Sequence, residues 1–181
     1  ADPLGVRVQG AREAVLEGMR VYNSDTADAV KAQAVADALF FSDRASAISN
    51  RLGAGEFSVM PGIEIRSDGD LTMATDWNLR ADFAGASAGS VTLRAAGDLT
   101  ILGHLSDGFD AADRTGVLQT GTSWDLRLVA GADLSSADVL ALRSMAALDA
   151  GQGTITVGTA DSGPDVQDGA GKLVRTGTGD L

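Results

Sequence analysis

The chain is built on alternation. Apolar residues occupy every second position at Ile63 and Ile65, at Val91 and Leu93, and at Leu126 and Leu128. A period of two marks a strand with one buried face. A short polar or small-residue turn follows each pair, and a second brief apolar run begins at a Leu. The stretch from Ile63 to Met73 matches the stretch from Val91 to Ile101 position for position. Leu126 to Ser135 reads as a third copy and Val174 to Leu181 as a truncated fourth. Ile155 to Val157 reads as another strand whose turn has diverged. The turn closes on Gly69-Asp70 and Gly97-Asp98, on Asp133 after Ala132, and on Gly179-Asp180. Asp binds its own turn amides and Gly accepts positive φ, so these are expected to be structural turn residues. The turn Asp residues are 28, 35 and 47 positions apart. Loops of unequal length must therefore leave a regular scaffold.

The flanking segments carry other patterns. Residues 4–22 read as strands: Val6 and Val8 alternate with polar residues, Gly10 interrupts, Val15 and Leu16 follow, and Gly18 interrupts again. Residues 25–52 read as a helical insertion. Ser24, Asp25 and Thr26 offer N-cap oxygens, and Ala27, Val30, Ala34, Ala38 and Phe41 recur at helical spacing. Ser42 and Asp43 then cap a second helix carrying Ala45, Ile48 and Leu52, which ends at Gly53 and Gly55. Residues 134–150 favour a short helix starting at Ser136, with an apolar loop as the alternative.

One unit of two short strands cannot bury its apolar face alone. Stacking units in register would give parallel sheets with a shared Val, Ile and Leu interior. The expected class is therefore mainly β, a right-handed parallel β-helix (β-solenoid) over the whole chain, with a β-sandwich as the rival. If the turn Asp residues stack, they form an acidic ladder with the oxygen chemistry of a Ca²⁺ site. The bland reading is that each one satisfies turn amides.

Composition sharpens this picture. The chain has 21 Asp but 4 Glu, 12 Arg but 2 Lys, and 23 Gly. Asp and Gly in such excess belong to turns rather than helices. The net charge of −11 gives no basic face for a phosphate backbone, so a nucleic-acid partner is not expected. The same charge disfavours contact with anionic lipid. No apolar stretch reaches the length of a membrane-spanning helix. The absence of Cys excludes disulfides and thiol nucleophiles.

The ordered set Pro61 to Ile65, Gly69 to Leu79, Val91 to Leu99, Leu105 to Phe109, Ser123-Trp124, Leu128 to Leu134 and Arg175 to Asp180 resembles the filamentous haemagglutinin-like exoproteins of two-partner secretion. The resemblance spans roughly residues 57–181. It implies a secreted adhesin folded as a right-handed β-helix, exported unfolded through an outer-membrane transporter partner and held at the bacterial cell surface. On this reading the chain is an internal segment of a larger fibre. Its partners would be neighbouring coils or copies end to end, and a host or neighbouring-cell receptor or glycan.

Chemistry-bearing residues are sparse. His104 is the single histidine. With Asp107, Asp110 and Asp113 it forms the densest polar cluster, a candidate ligand or glycan contact. Trp77 and Trp124 are the candidate sugar-stacking residues. No G-x-S-x-G elbow and no phosphate loop is present. The expectation is a non-enzymatic structural or adhesive segment without a cofactor or metal. The alternatives are a carbohydrate-active β-helix enzyme working through paired carboxylates, and a self-assembling extracellular fibre subunit.

Overall fold

The structure is a computed structural model that describes residues 14–53, 57–158 and 171–181. The strand expected at Val6 and Val8 lies outside the described residues. The first element is β1, Val15–Asn23. It runs through Gly18 without a break, contrary to the interruption expected there. A side chain at Gly18 would collide with the Phe41 ring, so this glycine admits a helix rather than a turn. Next come a single 3₁₀ turn, Ala27–Ala29, and two α-helices, α1 (Lys31–Ser42) and α2 (Ala45–Gly53). Neither the turn nor α1 has a side-chain N-cap, although Ser24 to Thr26 offered one. The Ser24 hydroxyl instead bonds within its own turn, to Thr26.

The remaining strands fall into three tiers. The first holds β2 (Ser58–Ser67), β3 (Leu71–Met73) and β4 (Trp77–Asn78). After the short helix α3 (Leu79–Asp82), the second holds β5 (Ser90–Ala95), β6 (Leu99–Ile101) and β7 (Leu105–Ser106). The third holds β8 (Asp125–Ala130), β9 (Ile155–Val157) and β10 (Val174–Arg175). Three parallel sheets result, in the orders β1-β2-β5-β8, β3-β6-β9 and β4-β7-β10.

The register joins like to like. Ile63 pairs with Val91 and Val91 with Leu126. Leu71 pairs with Leu99, and Met73 with Ile101. Pairing by identical parity keeps every apolar side chain on the inner face, because a one-residue slip would reverse all of them. The interior is filled by these residues together with Trp77, Leu79, Phe83, Leu105 and Trp124. Ala27, Ala34 and Ala38 of the helical segment join the same core.

The expected class is overturned. The fold is mixed α/β: three small parallel sheets of three or four strands, with three α-helices among the described residues. The repeat correctly paired strands of the first two copies, but it carried no information about class. Residues 31–53 are Ala-rich and low in β-branched residues, so they propagate as helix. Their alanine face is built into the main core rather than laid on a finished β wall.

Two of the four copies are also placed differently. β6 pairs not with Leu134 but with Ile155, after a long excursion from Asp133 to Thr154. Val174 pairs with Leu105 in the third sheet, not in the first. In 134–150 only one 3₁₀ turn forms, Met145–Ala147, so the short helix expected from Ser136 is replaced by turns. Met145 there is 90% exposed, and with no buried face to dock, an amphipathic helix has no reason to form.

Candidate functional site

Between sheets the chain turns sharply, and regular strand pairing stops. Backbone amides at these corners would be orphaned, which is costly in a packed fold. Side chains of the tier below accept them. Asp70 Oδ1 accepts the amide of Asp98 at 2.8 Å, and Asp98 Oδ1 accepts that of Thr154 at 2.9 Å. At the next corner Asp28 takes the amides of Ala74 and Thr75, at 2.6 and 3.2 Å. Asp76 takes that of His104 at 2.8 Å, and His104 Nδ1 takes that of Leu173 at 3.2 Å. At the third corner Asp107 accepts the Trp124 amide, and Asp125 that of Asp180 at 2.8 Å. In each of these Asp and His bonds the acceptor precedes the donor in the chain, whereas Ser123 and Thr178 at the third corner exchange amide bonds in both directions.

Asp28 has the richest set of partners. Burial alone would raise its carboxyl. Lys31, Thr75 and the Ala74 amide outweigh that and hold it well below the usual carboxylate range. The Lys31 ammonium lies 2.7 Å from Asp28, also donates to Thr75, and lies over the Trp77 ring at 5.5 Å. Helix α1 is thus tied to the corner after β3. On its other side Tyr22 donates to Asp37 at 2.7 Å. Burial, with Asp37 as acceptor, pushes the Tyr22 phenol up; the Tyr22 hydroxyl, Gln33 and Arg20 hold Asp37 down.

The outward face of the first sheet holds a second polar system. Arg94 and Glu64 form an ion pair at 2.9 Å whose side chains are only 2% and 5% exposed. Arg94 also donates to the carbonyl of Asp133 at 2.8 Å, so the excursion that begins there closes over the pair. Arg127 and Glu17 pair at 3.0 Å nearby, and the Ser90 hydroxyl also bonds to Glu17.

The sequence-selected residues lie as follows. Trp77 and Trp124 are buried on either side of Phe83, with ring centroids at 5.9 and 4.3 Å, so neither indole face opens to solvent. His104 and Asp107 are buried as well and engaged in the corner bonds. Asp110 accepts the Val117 amide and Asp113 that of Thr115, both within the 107–123 loop. Asp107 and Trp124 meet at a pocket of about 380 Å³, together with Arg80, Phe83 and Thr122. Asp110 also takes Gln119, while Asp113 lies at Arg175. Its guanidinium stacks on Phe109 at 3.7 Å and donates to Ser106, Ala111 and Asp113.

Of the turn residues, Gly69-Asp70 and Gly97-Asp98 occupy equivalent corners. Asp133 does not. Its carboxylate takes Ser135, at 3.0 Å to the amide, and Ser135 holds it below its usual range. Gly179 and Asp180 lie against the start of β8, where Leu126 donates to the Asp180 carbonyl. Of the acidic ladder foreseen as an alternative Ca²⁺ site, Asp70 and Asp98 accept amides of the next tier and Asp133 binds within its own turn. No group of three or more His, Asp or Glu among the described residues is placed to hold a metal ion.

Sequence reasoning missed Asp28, Asp76, Asp125, Arg94 and Arg175. A weak signal existed for two of them: Asp76 and Asp125 each stand just before the first buried apolar residue of a strand. Asp28 had none, because its partners lie 46 and 47 residues away.

No family model matches the chain, and neither does any curated protein or solved structure.

Proposed function

We propose that the chain is a structural segment of a secreted, surface-associated exoprotein similar to the filamentous haemagglutinin-like family, exported through an outer-membrane transporter partner. One observation carries the reading: Asp side chains at the corners between sheets, Asp70 and Asp98 of the repeated turn among them, are committed to holding one tier on the next. Six Asp side chains do this across the three corners. Such a scaffold spaces and displays its excursions, 107–123 and 133–154, rather than gathering groups into a reactive cleft. The Cys-free sequence and the net charge of −11 suit an exported, soluble chain. Among the described residues no helix is long and apolar enough to cross a membrane.

Whole-cell protease shaving tests this directly. Intact cells producing the protein are treated with protease, and the released peptides are identified by mass spectrometry. Peptides from 57–158 released without lysis, and absent when the transporter partner is deleted, are the expected result. Peptides that appear only after lysis would overturn the proposal.

A further inference from the structure

We propose that the cavity beside the segment that follows α3 binds an α-amino acid with an apolar side chain, held by its two opposite charges. The cavity exists because one wall is trimmed. After Phe83 the chain runs through Ala84, Gly85, Ala86 and Ala88, none of which reaches beyond Cβ, and Gly85 turns it at a φ of 96°. No side chain from that wall fills the space next to Phe83 and Trp124, and about 380 Å³ stays open. Asp107 lies at the floor: it is 2% exposed, yet it lines the cavity. Its Oδ2 accepts the Trp124 amide. Its Oδ1 has no partner among the described residues and is not fully enclosed, so it opens on the cavity. No cation among the described residues pairs with it. A carboxylate placed so deeply is costly without a counter-charge and further donors.

Arg80 stands at the rim of the same cavity. It is exposed on α3, and its guanidinium donates to the Thr120 carbonyl at 3.2 Å, which ties it to the 107–123 loop. It too has no ion partner among the described residues, so the floor carboxylate and the rim guanidinium do not satisfy each other. The complementary ligand has a cationic end that enters and an anionic end that stays at the mouth. An ammonium brings Asp107 both the missing charge and hydrogen-bond donors. A carboxylate matches the fork of the guanidinium. An α-amino acid carries both groups on one carbon, and an apolar side chain would lie against Phe83 and the alanines. A neutral sugar ring offers neither charge, and Phe83 packs against Trp124, the residue on which such a ring would stack.

Titrating the native chain while following its backbone amides by NMR tests the site. The probes share one shape: L-leucine, isopentylamine, which lacks the carboxylate, and 4-methylpentanoate, which lacks the ammonium. Leucine should shift the Ala86 and Trp124 amides saturably, and each one-charge analogue should bind at least about tenfold more weakly. Arg80→Gln should weaken leucine about tenfold and leave isopentylamine unchanged. Asp107→Asn keeps an oxygen for the Trp124 amide but carries no charge, so it should weaken leucine by about tenfold or more and leave 4-methylpentanoate unchanged. The proposal is overturned if leucine gives no saturable shift, if either analogue binds as tightly as leucine, or if either variant binds leucine as the native chain does. The native titrations and the surface variant Arg80→Gln decide the matter even if Asp107→Asn does not fold.

Discussion

The second and third tiers carry the same side chains to different ends. Leu99 and Ile101 of β6 are in register with Ile155 and Val157 of β9. The first pair is fully buried, and the second is 43% exposed at each residue. The ion pairs differ in the same way. Arg94 and Glu64 are almost wholly enclosed, whereas Arg127 and Glu17 are 25% and 22% exposed. For β6 and β9 side-chain type and register are shared, so what differs is the number of neighbouring tiers, whereas the Arg94–Glu64 pair is enclosed by the excursion that begins at Asp133. A residue with a tier on either side loses its water, while one at the end keeps part of it. Burial energy scales with area removed from water, so equivalent positions contribute unequally.

The largest expected effect separates the two ion pairs. Arg94→Met leaves Glu64 buried without its partner and should destabilise by about 3–5 kcal/mol. Arg127→Met breaks the partly exposed pair and should lose about 1 kcal/mol or less. Urea unfolding of the two variants measures the gap, and equal losses would remove the distinction between the tiers.

Truncating the apolar ladder comes next. Leu99→Ala should lose about 3 kcal/mol through transfer and cavity terms, and Ile155→Ala about 1 kcal/mol. A loss at Ile155 as large as that at Leu99 would mean that the last tier is covered in solution.

A smaller effect sits at the corners. The folded Asp28 carboxyl is held below its unfolded value of about 3.9, so its contribution is complete above that pH. It is lost as pH falls below about 4 toward the lower folded value. Asp28→Asn should therefore lose about 1 kcal/mol at neutral pH, discounted for partial solvent screening. That difference from the native chain should shrink between about pH 5 and 2. Asp133→Asn, at an exposed turn of the last tier, should show no measurable difference. Denaturation midpoints across that pH range check both.

The smallest effect divides two glycines of the same motif. A side chain at Gly97 would meet Asp70 Oδ1 at 2.2 Å and displace a corner acceptor, whereas one at Gly69 meets nothing within 4 Å. Gly97→Ala should lose about 1 kcal/mol, and Gly69→Ala should stay within about 0.5 kcal/mol of the native chain. Thermal melts that rank the pair the other way would show that Asp70 is not held as described.

The sequence by itself determined the first two strands of each of the first two tiers, which faces they bury, and that two helices follow β1, while the third strands β4 and β7 were not legible in it. Each is a local or periodic property: alternation at Ile63 and Val91, and helix-forming alanines from Lys31 to Ser42. It also marked Gly69-Asp70 and Gly97-Asp98 as equivalent turns. Tertiary structure alone decided the rest. The mixed α/β class depends on Ala34 and Ala38 finding the main core, a contact that no period encodes. The third tier needed Ile155 rather than Leu134, because the chain leaves at Asp133 toward Arg94 and returns only at Thr154. The roles of Asp28, Asp76, His104 and Asp125 come from amides that strand pairing leaves free at corners. Which side chain reaches such an amide depends on where the following tier lands, and that distance is fixed in space rather than along the chain.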